Sequence, residues 1–167
     1  MSDTLHYTGI DNGLRGAMAC IGPLGHLLWW EPMPVKNGEV DVFGVWLIVL
    51  RRVECFTDCK ILMEQPIGAK SYKAAVSMAA SFHAVRGVLE PHYDFSRITA
   101  FTWQKAILPG YKKGCDTKKL ALQKARELWP DEKWLATPRS KVPHDGAVDA
   151  ALISYYLMLK DQNKLDK

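Results

Sequence analysis

The sequence predicts an α/β fold in which a mixed five-stranded sheet is flanked by helices. Short apolar runs separated by glycine-containing turns open the chain, as expected of a β-meander. Two further apolar runs of strand length then alternate with stretches of helical periodicity, and the chain closes on a helical segment. Its 167 residues, 48% of them hydrophobic, suffice for one ordinary domain, which we expect to span residues 1–167.

The first five elements are predicted from apolar runs and the turns between them. The meander strands are Tyr7–Asp11, Ala17–Gly22 and Leu27–Glu31. Val40–Val53 is dense in apolar residues after a polar turn; its length favours a helix, although its valine, isoleucine and phenylalanine content also fits a strand. Lys60–Met63 has the pattern of a short buried strand that ends at Glu64, because Pro66 stops it.

The second half of the chain is predicted to contain three helices and one strand. Ser71–Leu89 is alanine-rich, and its expected buried stripe is Val76, Ala80, Ala84 and Val88. Arg97–Thr102 is predicted as a strand, and Thr117–Trp129 as a helix capped by Asp116 or Thr117. A polar loop, Ala136–Pro143, precedes the final helix, whose expected buried stripe is Val148, Leu152, Tyr155 and Leu159.

The net charge of +4 is unevenly distributed along the chain. Residues 1–60 carry five Lys/Arg and seven Asp/Glu, whereas residues 61–167 carry seventeen and eleven. The stretch Phe101–Lys141 alone has ten basic and four acidic residues. A surface built from this stretch would attract a polyanion, although an ordinary solvated basic face explains the charge equally well.

The four cysteines, Cys20, Cys55, Cys59 and Cys115, do not form a metal-binding pattern. They contain no CxxC pair and have no histidine partner at zinc-ligand spacing. We interpret them as the reduced thiols of a cytoplasmic protein. The longest apolar run, Val42–Leu50, is much shorter than a membrane span, and no secretory signal opens the sequence.

Four carboxylates stand at positions where acids are unusual. Asp11 and Glu64 each end an apolar strand, although either one alone is also explained as an ordinary turn or strand-end residue. Asp145 and Asp149 are four residues apart at the start of the last helix, so their side chains project from the same face. Asp145 fits a helix cap, but Asp149, one turn further on, does not. Two acids beside a buried stripe indicate a bound cation.

These four residues form an oxygen-rich set with at most one histidine nearby, which suits Mg²⁺ or Mn²⁺ rather than zinc. Two such ions about 4 Å apart can activate a water on one side of a phosphate and stabilise the leaving 3′ oxygen on the other. His144 is a candidate to move a proton or position the water, although a histidine with a purely structural role is almost as well supported. The sequence therefore predicts metal-dependent phosphodiester hydrolysis.

The same residues carry a family resemblance. The segment Gly9–Ala17 resembles the first signature of RuvC-type Holliday-junction resolvases, within the RNase H-like superfamily. Met63-Glu64-Gln65-Pro66 resembles their second-strand glutamate motif, and His144–Ala150 resembles their C-terminal acidic helix. Trp103-Gln104-Lys105 and residues 118–130 follow the expected order. The likeness spans nearly the whole chain and is greatest to the short bacteriophage branch.

The resemblance implies an RNase H-like fold and a Mg²⁺-dependent homodimer that cuts opposed strands of a four-way DNA junction, in the host cytoplasm if the chain is viral. No membrane partner is expected, because the longest apolar run is too short to span a membrane. The chain departs from the family pattern at Asn12, where bacterial members usually have proline, and in the four-residue spacing of the final acids. Ile67 occupies the place of an aromatic wedge in some members, which leaves Tyr72 as a candidate for base stacking.

DNA is expected to be gripped through its phosphates by basic groups around the acidic site. Each candidate is also explained as a solvated charge. The candidates are Lys70, Lys73, Lys105, Lys112, Lys113, Lys118, Lys119, Arg139 and Lys141. The alanine-rich helix Ser71–Leu89 also suits a dimer seam, formed by the face of Ala75, Ala79 and Phe82.

Other functions fit parts of the pattern. Sugar kinases and actin-like ATPases also begin with a strand and a Gly-Ile-Asp turn, but those chains are much longer. A non-catalytic nucleic-acid-binding module is disfavoured because all four acids are present. A nuclease for branched DNA generally, or for RNA–DNA hybrids, remains open, because such selectivity depends on shape readout and dimer geometry.

Overall fold

The computed structural model describes residues 5–53, 58–68 and 71–165. Its principal sheet has five strands in the order β3-β2-β1-β6-β7. These strands are β1 (Leu5–Asp11), β2 (Ala17–Ile21), β3 (Leu27–Pro32), β6 (Asp58–Gln65) and β7 (Asp94–Thr99). β1, β2 and β3 pair antiparallel, whereas β6 pairs parallel with both β1 and β7. The predicted mixed five-stranded sheet is therefore confirmed.

The described ranges also contain five helices and a small hairpin. The hairpin strands are β4 (Val35–Lys36) and β5 (Glu39–Val40), and the helices are α1 (Val42–Val53), α2 (Tyr72–Leu89), α3 (Ala100–Ile107), α4 (Thr117–Leu128) and α5 (Asp145–Asp161). Asp116 caps α4, because its side chain accepts a hydrogen bond from the backbone N–H of Lys119. No helix of the described ranges is both long and apolar enough to cross a membrane.

Two hydrophobic clusters cover the two faces of the sheet. One contains buried residues of α1 and α2, such as Val49 and Phe82, packed with Ile10 and Met63 of the central strands. The other contains buried residues of α3, α4 and α5 packed with Tyr7 and Leu62. A sheet covered on both faces requires nearly continuous apolar strands, which explains the short apolar runs of the sequence.

The strand predicted at Arg97–Thr102 is wrong in its bounds. β7 ends at Thr99, and the next residue begins α3, a helix that the sequence prediction missed. The Thr99 side chain accepts a hydrogen bond from the backbone N–H of Thr102, which turns the chain into the helix. The apolar content of the segment concealed this change of backbone conformation.

The buried stripe predicted for α2 is wrong, whereas the one predicted for α5 is confirmed at Val148 and Leu152. In α2 the buried residues are Phe82, Val85 and Leu89, whereas Val76, Ala80 and Ala84 are exposed. Only the C-terminal half of α2 contributes buried residues, so periodicity over its whole length did not identify the contact face. Phe82, expected on a dimer seam, belongs to the core.

α5 is buried around most of its circumference rather than along one stripe. It packs against β1, β2, β3 and α4, and eleven of its seventeen residues are buried. Tyr155 and Leu159 of the predicted stripe are only half-buried. Gly9 of β1 permits this close packing, since a Cβ there would overlap the α5 backbone at Ala150 and Ser154.

Candidate metal centre

Asp11 and Glu64 lie at the same edge of the sheet on neighbouring parallel strands. β1 and β6 pair in a register that places Ile10 opposite Met63, and each acid is the next residue of its strand. The carboxyl ends of parallel strands meet at one edge, which is where open α/β sheets carry their sites. The two strand-end acids of the sequence therefore belong to one location.

The N-terminal part of α5 brings Asp145 and Asp149 to this edge. Gly146 makes the approach possible: a Cβ there would lie 2.7 Å from the Cα of Gly16 and 2.9 Å from Oδ2 of Asp11. The helix start is thus packed directly against the β1–β2 turn. All four predicted acids are brought together from three elements that are distant in sequence.

Burial and mutual repulsion raise the pKa values of two of these carboxylates, Asp11 and Asp149. Burial, followed by repulsion from Glu64 and Asp145, raises the pKa of Asp11 to about 7. Burial and repulsion from Asp11, Glu64 and Asp145 raise the pKa of Asp149 well above its usual value. Carboxylates that disfavour one another's ionisation form a site at which a cation would bind favourably.

Lys118, at the start of α4, is the basic group in contact with the cluster. Its Nζ lies 2.5 Å from Oδ2 of Asp145, and both side chains are mostly exposed. The hydrogen bond to Asp145, with its negative charge, raises the pKa of Lys118. Arg15, in the β1–β2 turn, is near enough to oppose that shift. Sequence reasoning overlooked Arg15, although its position in the turn after Asp11 was a usable signal.

Glu64 has a buried partner that sequence reasoning did not assign to the site. Nε1 of Trp103 donates a hydrogen bond to Oε2 of Glu64 over 2.7 Å. Burial raises the pKa of Glu64, and this hydrogen bond lowers it in part. The sequence signal was weak, because Trp103 appeared only within the Trp103-Gln104-Lys105 segment of the resemblance and its helix, α3, was not predicted.

His144 has a structural role that the sequence left open. Its Nδ1 accepts a hydrogen bond from the backbone N–H of Ala147 and so caps α5. Its ring packs against Trp30 with 5.9 Å between centroids, and its backbone N–H donates to the carbonyl of Trp134. Because Nδ1 accepts the capping hydrogen bond, only Nε2 is available for proton transfer. The catalytic role of His144 stays a prediction.

The donor set fits a hard divalent cation. Its members offer carboxylate oxygens, and Mg²⁺ is commonly bound by one or two carboxylates together with waters and substrate phosphates. Within the described residues, no three Asp, Glu, His or Cys side chains are arranged so that they could hold a metal ion, and the fit rests on the chemistry of the donors.

The predicted DNA-binding residues within the described ranges lie on the surface. Tyr72 and Lys73 open α2, and Tyr72 is 86% exposed. The Lys105 ammonium lies 5.9 Å from the centroid of the Phe101 ring. Lys70 is outside the described residues. The remaining candidates are all exposed. Lys112 and Lys113 lie in the α3–α4 loop, Lys118 and Lys119 in the first turn of α4, and Arg139 and Lys141 in the loop before α5.

The chain has the RuvC-type, RNase H-like fold. Thermus thermophilus RuvC in complex with a Holliday junction substrate has 16% identity and a TM-score of 0.67, with coverage of 97% of this chain and 98% of that one. A second Thermus thermophilus RuvC structure has 16% identity and a TM-score of 0.68, covering 97% and 99%. No family model matches the chain, and no curated protein sequence does either.

Proposed function

We propose that this chain is a divalent-metal-dependent endonuclease that cuts branched DNA, with the four-way junction as its preferred substrate. The observation that carries the proposal is the convergence of Asp11, Glu64, Asp145 and Asp149 at one sheet edge, where burial and then mutual repulsion raise the pKa of Asp11 and Asp149. A cluster of this kind destabilises the folded protein unless a cation binds it. Groups with strongly shifted pKa values are typical of functional sites. The fold shared with Thermus thermophilus RuvC supports the choice of substrate.

The carboxylates Asp11, Glu64, Asp145 and Asp149 would hold the metal ions. Two Mg²⁺ ions, or Mn²⁺ in their place, supply an activated water and stabilisation of the leaving 3′ oxygen when bound. Asp11 and Glu64 are anchored on adjacent strands, and Asp145 and Asp149 on a helix that is packed into the core. Anchors on rigid elements keep the ligand oxygens in place during the reaction.

Lys118 offsets part of the negative charge that the cluster would otherwise present to a polyanion. Its ammonium is bound to Asp145 and remains mostly exposed, so it can also face a phosphate. The exposed lysines of the preceding loop, Lys112 and Lys113, extend the positive surface from α4. These groups act through the phosphate backbone and therefore provide affinity rather than base selectivity.

Two copies of the chain are needed to cut two opposed strands, since each copy carries one carboxylate cluster. A two-fold symmetric dimer matches the approximate two-fold symmetry of a four-way junction. Ala75 and Ala79 are exposed on the N-terminal half of α2, and Tyr72 stands beside them as the candidate for stacking on bases. Small exposed residues allow two such helices to approach closely. The resemblance to the short bacteriophage resolvases is part of the same proposal.

The decisive experiment compares cleavage of a four-way junction, a linear duplex and an RNA–DNA hybrid of matched sequence, with Mg²⁺ and with EDTA. We expect Mg²⁺-dependent cutting of the junction and little cutting of the duplex. Asp11→Asn and Glu64→Gln should abolish cutting while binding persists, whereas Glu127→Gln, an exposed carboxylate of α4, serves as the matched control. Wild-type cleavage by either site variant would refute the metal centre, and preferential cutting of the hybrid would identify a ribonuclease instead.

A further inference from the structure

Trp103 is the buried neighbour of Glu64. Its side chain is 0% exposed, and its Nε1 donates to Oε2 of Glu64 over 2.7 Å. A buried indole N–H requires an acceptor, and hydrogen bonds to an ionised carboxylate are roughly twice as strong as neutral ones. The bond therefore restrains the Glu64 carboxylate in one orientation.

The sheet register determines why Trp103 reaches this acid. β7 pairs with β6 so that Ile98 lies opposite Glu64 and Thr99 lies opposite Gln65. α3 begins at the next residue, so its first turn starts beside Glu64, and Trp103 stands one turn along. The Trp103 ring belongs to the core cluster shared by α3, α4 and α5. The donor is thus held by the core independently of the acid.

Asp145 is held in a different way. Its partner is the flexible side chain of Lys118, and the side chains of Lys118 and Asp145 are 73% and 53% exposed. That pair can rearrange in solvent, whereas the indole of Trp103 cannot move without repacking the core. An indole nitrogen only donates hydrogen bonds and has no lone pair for a metal. Trp103 therefore occupies one oxygen of Glu64 without competing for a cation.

We propose that Trp103 is a positioning residue of the metal centre: its N–H holds one oxygen of Glu64 so that the carboxylate presents the other to a divalent cation. The proposal rests on the metal-dependent function proposed above. Hydrogen-bond partners of metal ligands commonly contribute about 10–100-fold to metal affinity. Trp103 is not itself a ligand, so its effect should appear in metal binding as well as in cleavage.

The test measures Mn²⁺ binding by calorimetry, without DNA, in the wild type, Trp103→Phe, Glu64→Gln and Trp129→Phe. Trp129→Phe is the matched control, because Nε1 of Trp129 donates to the carbonyl of Gly25 over 2.9 Å, away from the acids. We expect Trp103→Phe to weaken Mn²⁺ binding about 10-fold, within the range of such partners, and Trp129→Phe to leave it unchanged. In a Glu64→Gln background, Trp103→Phe should have no further effect.

The outcomes separate this proposal from the one on which it rests. If Trp103→Phe binds Mn²⁺ with wild-type affinity and Glu64→Gln does not bind it, the role of Trp103 is refuted and the proposed metal centre is supported. Wild-type affinity in Glu64→Gln overturns both. If Trp103→Phe fails to fold, Trp103→Gln is compared with Trp103→Met. The two side chains are similar in size, but only glutamine keeps an N–H donor. Tighter Mn²⁺ binding by the glutamine variant supports the proposal, and equal binding refutes it.

Discussion

Replacing Asp11 by asparagine should stabilise the metal-free protein while abolishing cleavage. Burial, with repulsion from Glu64 and Asp145, raises the pKa of Asp11 from 3.8 to about 7. Folding therefore penalises the ionised form by up to about 4 kcal/mol, since each pKa unit corresponds to about 1.36 kcal/mol. Burying the asparagine amide costs about 1–3 kcal/mol if its hydrogen bonds are incomplete. A net gain of about 2 kcal/mol is expected above pH 7.

The sign of the pH dependence follows from the raised pKa. Below the unfolded-state pKa of about 4 the carboxyl is protonated in both states, and the penalty is absent. The penalty grows as the pH rises and is complete above about pH 7. The wild type should therefore lose stability relative to Asp11→Asn between pH 5 and pH 8.5.

The assay is thermal unfolding in EDTA at both pH values, with cleavage measured in parallel. A gain of about 2 kcal/mol corresponds to roughly 4–8 °C in Tm for a chain of this size. The exposed Glu127→Gln variant should show no such pH-dependent gain. Added Mg²⁺ should stabilise the wild type more than Asp11→Asn, since ligands stabilise the state that binds them. An Asp11→Asn variant no more stable than the wild type at pH 8.5 would refute the raised pKa of Asp11.

Three further predictions concern DNA affinity, site geometry and assembly. Lys112→Ala with Lys113→Ala should lower the slope of log affinity against log salt by up to about 1.8, at about 0.9 per phosphate contact; an unchanged slope would place the DNA elsewhere. Gly146→Ala should reduce cleavage and stability, because a Cβ there meets the β1–β2 turn, whereas Gly87→Ala on α2 meets nothing within 4 Å and should be tolerated. Ala79→Glu should give monomers by light scattering that bind metal but make no paired cuts; a monomeric wild type, free and bound to a junction, would contradict the dimer.

Much of the architecture could be read from local patterns. The meander, the helix at Val42–Val53 and the helix capped by Asp116 follow from apolar runs, turn residues and a capping side chain, all of which act over a few residues. The grouping of the acids was also predicted, from their unusual positions and the family resemblance, whereas the parallel pairing that places Asp11 beside Glu64 came from the structure. Two acids spaced by four residues share a helical face in any fold.

Long-range packing determined the buried faces of α2 and α5, the partner of Glu64 and the raised pKa of Asp11. The exposed N-terminal half of α2 and the almost complete burial of α5 depend on where each helix crosses the sheet, which no local periodicity specifies. The contact between Trp103 and Glu64 joins residues 39 positions apart and depends on the register of β6 with β7. The raised pKa of Asp11 arises because folding removes it from water and brings it close to Glu64 and Asp145. The sequence by itself identifies the carboxylates that could bind a cation. Their proximity and their burial depend on the tertiary structure.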